Sequence, residues 1–176
     1  MSAASAPHAD SRLARSVALA EQRRELLDAG IRSVLGRAVA LWERVVAGIG
    51  FDPGEATAIY GAMTVLDHQV QGVQRSVRGS LDLAESVRPS PGLLATISAA
   101  ASTAATVASS LSAALHCLAP RPEPGDSQGR GLSACLQMAV GFLRTSLQAS
   151  ATLATEMSQA VVLRPDPMGI ATQAKS

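Results

Sequence analysis

"ISAAASTAATVASSLSAALHC", residues 97–117, contains no Asp, Glu, Lys or Arg, and the charge-free run extends from Pro89 to Pro120. Membrane spans, flexible fillers and helices of packed bundles can all look like this, so its reading decides the fold. Between Ile97 and His116, four strongly apolar side chains (Ile97, Val107, Leu111 and Leu115) contribute about −2 kcal/mol in total on an insertion scale. Ser98, Ser102, Thr103, Thr106, Ser109, Ser110, Ser112 and His116 oppose them, so unaided insertion is expected to fail. Small residues instead let two helix backbones approach closely, and Ser or Thr can bond back to the carbonyl four residues earlier. The stretch is expected to be one packing helix of a soluble bundle.

Its flanks support that reading. Ser90 and Pro91 form a start signal, a capping oxygen followed by a residue whose missing N–H costs nothing in the first turn. The apolar seam Leu94, Ile97, Ala101, Ala104, Ala108, Leu111, Leu115, Leu118 then gives a helix over 91–119. Upstream, Asp52, Pro53 and Glu55 repeat the signal, with a carboxylate placed to satisfy a second free N–H. The helix they open has the seam Ile59, Met63, Leu66, Val70, Val73, Val77, Ser80, Ala84, Val87, spans 53–87 and stops before Pro89.

A first helix over 11–48 carries Leu13, Val17, Ala20, Arg24, Leu27, Ile31, Val34, Ala38, Leu41 and Val45 at alternating steps of four and three, nine of the ten apolar. Arg12, Arg15, Glu21, Arg23, Glu25, Arg32 and Arg37 occupy its solvated face. Downstream of the loop "PRPEPGDSQGRG", a fourth helix over 132–163 is expected to bury Leu132, Leu136, Val140, Leu143, Leu147, Ala151, Ala154 and Val161. Residues 1–10 read as a flexible N-terminus and 164–176 as a disordered tail. Roughly 28 to 38 residues per helix correspond to about 42 to 57 Å. The expectation is an all-α protein: an antiparallel four-helix bundle with coiled-coil-like seams, forming one domain over 11–163.

Composition narrows the function classes. The net charge is +1 and 16% of residues are charged, which gives no electrostatic footprint for nucleic acid or for an anionic membrane. Trp42, Phe51, Tyr60 and Phe142 are the only aromatic residues, so Leu, Val, Ile and Ala must fill the core; Trp42 and Tyr60 flank the first interhelical corner and read as its anchors. Cys117 and Cys135 lie 18 apart with no ligand-spaced partner, so neither zinc nor a redox pair is signalled, and a bridge between them would need an oxidising compartment. No apolar leader is evident at the N-terminus. A cytoplasmic location is expected.

Chemistry-bearing residues are sparse. Glu43, Glu55 and Asp67 lack the Glu-x-x-His spacing of di-iron bundles, and no phosphate loop or nucleophile elbow is present. No catalytic residue, metal or cofactor is therefore assigned. One stretch, "LDHQVQGVQRSVRG" at 66–79, places His68 on the outer side of the second helix with Gly72 one turn on. The order His68, Gln69, Val70, Gln71, Gly72 resembles the phosphoacceptor site of histidine phosphotransfer domains, which are four-helix bundles. That resemblance implies phosphate carriage on His68. It departs at Gln71, where the family usually has Lys, and at Val73, Gln74 and Arg75, where it has small residues; Arg75 is the cation that would have to stand in.

Gly61, Gly72 and Gly79 share that outer side, each at a cost of roughly 0.8 to 1 kcal/mol relative to Ala in a helix interior. Together with Arg75 they mark a face on which another helix could lie. The sequence thus favours a non-enzymatic interaction or assembly protein (a subunit, adaptor or chaperone-like component) that pairs with a protein partner or with itself. A phosphotransfer module using His68 and a secreted or membrane-active helical protein are the alternatives.

Overall fold

The computed structural model describes residues 6–87, 90–119 and 128–163, with side chains at 11–87, 90–119 and 131–163. Of the expected flexible start (1–10), residues 6–10 belong to the first helix, while 1–5, the connection 120–127 and the tail 164–176 lie outside the described residues. Four helices follow one another: α1 (Ala6–Val46), α2 (Pro53–Ser86), α3 (Pro91–Leu118) and α4 (Gln128–Val162). α1 touches α2 and α4, and α3 touches α2 and α4, with no diagonal contact among the described residues. This is an all-α four-helix bundle, each helix packed against its two neighbours.

Local chemistry sets most of the boundaries. Asp52 caps α2, its Oδ1 accepting from the Gly54 N–H at 2.9 Å, and Ser90 caps α3 by accepting from the Leu93 N–H at 3.3 Å. Glu55 was expected to reach back to the cap; instead its carboxylate pairs with Arg44 of α1 and ties the corner shut. α1 ends at Val46 because Gly48 turns left-handed (φ 69°). The Ile49 N–H then returns to the Arg44 carbonyl and that of Gly48 to Val45, the Schellman pattern that satisfies terminal carbonyls. α1 starts at Ala6, earlier than the expected residue 11, with Pro7 in the first turn, where its lack of an N–H breaks no bond. α4 likewise begins at Gln128 and runs through Gly129 and Gly131.

Leu13, Val17, Ala20, Leu27, Ile31, Val34, Ala38 and Leu41 of α1 are buried as expected, as are Ile59, Met63, Leu66, Val70, Val73, Val77, Ser80 and Ala84 of α2. α3 is rotated from its expected seam. Ile97, Ala104 and Leu111 are buried, but with Leu93, Ala100, Val107 and Ala114, while Leu94, Ala101, Ala108 and Leu115 are only partly covered. An Ala-rich helix has two adjacent faces that both satisfy the 4,3 pattern, and packing selects between them. In α4 the seam holds to Leu143 and then passes to Ser146, Ser150, Leu153, Met157 and Ala160, leaving Ala151 and Val161 exposed. Ser146 is tolerated there because its Oγ donates to the Phe142 carbonyl at 2.9 Å.

α3 and α4 form the most extensive pair although α3 is the shortest helix. Their register is fixed by Thr103, which donates to Glu156 at 3.1 Å. It sets Ala100 level with Ala160 and Ala114 level with Ser146, all buried, so small residues face small residues. Close approach recurs at one point between α1 and α2: a methyl group added to Gly30 would lie 2.6 Å from Leu66 Cδ2, whereas one on Gly36 meets nothing within 4 Å. Gly36→Ala is expected to stabilise the protein by about 0.8–1 kcal/mol. Gly30→Ala must displace a buried leucine at about 1–3 kcal/mol, which reverses the sign. Urea midpoints of the two variants check this; equal stabilisation would mean that α1 and α2 are not in close contact at Gly30.

Candidate interaction face

The α1–α2 seam is antiparallel, and its register is read from five cross-links. Ser16 and Ser80 share a hydrogen bond of 2.8 Å. Arg23 donates from Nη1 to Ser76 Oγ at 2.6 Å and to the Gly72 carbonyl at 3.3 Å. Gly30 meets Leu66, and Arg44 meets Glu55. This register puts Leu19 level with Gly79, Leu26 level with Gly72, Ser33 level with Val65 and Arg37 level with Gly61. Leu19 and Leu26 flank Arg23 at four and three residues, so they share its α2-facing side.

These apolar side chains are uncovered: Leu19 is 45% exposed, Leu26 62% and Val65 57%. Between them the surface is open: a methyl group added to Gly61, Gly72 or Gly79 would meet nothing within 4 Å. The structure therefore places the three glycines and Arg75 on one outer strip of α2, and adds to it two leucines of α1 that sequence reading assigned to no face. The signal was present: Leu19 and Leu26 stand seven apart, off the buried seam, in an otherwise polar row.

Charge is divided across α1. Arg12, Arg15, Arg23 and Arg37 are exposed along the side facing α2, with Arg75 across the strip, and none of the five forms an ion pair among the described residues. Asp82, one turn beyond Gly79, is the nearest exposed carboxylate on α2. On the opposite side of α1, Glu21 and Glu25 line a groove of about 270 Å³ shared with Met157 and Val161 of α4. Arg24, the one charged residue on the α1 seam, sits between the two regions. It is 11% exposed, grips Glu21 through two hydrogen bonds of 2.7 and 2.9 Å, and reaches Ser150 at 3.4 Å. The Glu21 hydrogen bond holds the guanidinium above its ordinary range, against the opposing pull of burial. Its charge is fixed.

His68 is exposed, with Nδ1 2.9 Å from the Thr64 carbonyl. His116 makes the same contact with Ser112 at 3.2 Å, so the geometry is that of any outward helical histidine. Arg75 donates from Nε to its own helix at the Gln71 carbonyl, and Gln71 donates to Asp67; no hydrogen bond joins either to His68 among the described residues. Cys117 and Cys135 are not joined in a disulfide, and both are half-buried. Among the described residues no group of three or more His, Cys, Asp or Glu is placed to hold a metal ion. α3 is long and apolar enough to cross a membrane by length and composition, with a mean hydropathy of 1.3 over its best window, and in the bundle its apolar residues pack against α2 and α4. Comparison with protein-family models, curated proteins and solved structures gives no match for this chain.

Proposed function

We propose that this chain is a non-enzymatic, cytoplasmic assembly protein that binds another helix along the outer α1–α2 strip. One observation carries the reading: Leu19, Leu26 and Val65 stand exposed around glycines that have no internal packing role. Glycine at three outer positions of one helix is a standing loss of stability. A partner helix laid closely over those glycines would offset it, as ridges pack into grooves between neighbouring helices.

The test is a photo-reactive residue at Val65, with a control at exposed Ala105 of α3, irradiated in the cells that make the protein. A discrete cross-linked species is expected at Val65 and not at Ala105. Gly72→Leu, which adds bulk at the centre of the strip, should abolish it while far-UV circular dichroism and the melting temperature are kept or improved. Identical cross-links at both positions, or none at Val65, would sink the reading.

A further inference from the structure

We infer that the occupant of the strip is an acidic amphipathic helix from a different protein. The inference rests on the helix-binding reading above and adds the chemistry of the partner. Arg12, Arg15, Arg23, Arg37 and Arg75 border an apolar floor of Leu19, Leu26 and Val65. From Arg12 to Arg37 the cationic edge runs about 38 Å at 1.5 Å per residue, the length of a helix of roughly seven turns. None of these guanidinium groups has a carboxylate partner among the described residues, whereas the other α1 arginines, Arg24, Arg32 and Arg44, all do. A helix with Glu or Asp beside its apolar ridge supplies what the edge lacks.

The same charges argue against the other occupants. A second copy laid on this strip about a two-fold axis would bring arginines against arginines, because an isologous contact sets the same patch on both sides. An anionic bilayer would also satisfy the charge, but it favours an apolar face with interfacial aromatic residues. This floor has no aromatic residue.

The probes are two designed amphipathic peptides of about 18 residues, roughly five turns, identical on a Leu/Ala face and bearing Glu or Lys on the other. Each is titrated by fluorescence anisotropy against the full chain. The Glu peptide should bind at least about tenfold more tightly than the Lys peptide, the combined effect of several rim ion pairs. Its advantage should vanish near 1 M salt, where the Debye length falls to about 3 Å. Arg15→Glu with Arg37→Glu should reverse the preference, and Leu19→Ser with Leu26→Ser should abolish binding of either peptide. Equal binding of both peptides, lost in the leucine variant, overturns the acidic assignment and leaves the helix-binding reading standing. Binding of neither overturns the assignment, and the Val65 cross-link then decides the broader reading by itself. A dimer seen by light scattering, or sedimentation with phosphatidylserine vesicles, also overturns it if the leucine variant removes the effect, and identifies a second copy or a lipid surface as the occupant.

Discussion

Truncating Leu143 to alanine is expected to destabilise the bundle by about 3–5 kcal/mol. Leu143 is fully buried in α4, in the stretch where that helix keeps its expected seam. With four aromatic residues in the chain, aliphatic side chains fill most of the core, and removing three carbons from one of them leaves a cavity. At about 2–4 °C per kcal/mol for a chain of this size, the midpoint of thermal unfolding should fall by roughly 6–20 °C. Its neighbour Phe142 is larger but 37% exposed, and Phe142→Ala should shift the midpoint far less. A Leu143 variant that melts with the wild type would mean that α4 presents another face.

The second large effect runs in the opposite steric direction. Ala100→Leu adds three carbons in the α3–α4 pair at the level of Ala160, both residues fully buried. Overpacking at such a site destabilises by about 1–3 kcal/mol, and a helix pair whose contact depends on small residues cannot absorb it by a rotamer change. Ala99→Leu, one residue away and exposed, should be close to neutral. Differential scanning calorimetry of the two variants separates them. Equal midpoints would show that α3 and α4 are not closely apposed, and the rotated seam assigned to α3 would be wrong.

The same two helices show where sequence reading stops. α1 and α2 alternate bulky apolar and charged residues, so only one face of each can be buried, and their seams were legible residue by residue. The caps at Asp52 and Ser90 were legible for a chemical reason, since an Asp or Ser before Pro has few other uses. In α3 almost every side chain is small or apolar, and the difference between Ala100 and Ala101 as the buried residue is made by α4, not by α3. In α4 the core passes through Ser146 and Ser150, which pattern reading assigns to solvent because it does not see a hydroxyl satisfied within the bundle. The outer strip was half legible: Gly61, Gly72, Arg75 and Gly79 belong to one helix and share a face by arithmetic. Leu19 and Leu26 join them only through the register that Ser16, Arg23 and Gly30 establish across the seam.

Because each helix touches only its two neighbours, α1 lies beside α4 as well as beside α2, and Val17 and Glu21 near the start of α1 line one groove with Met157 and Val161 near the end of α4. The ring has no intrinsic first member. A circular permutant that begins at α3 and joins α4 to α1 through a short Gly/Ser linker would keep every neighbour relation, since only one connection is traded for another across a gap that the bundle already closes.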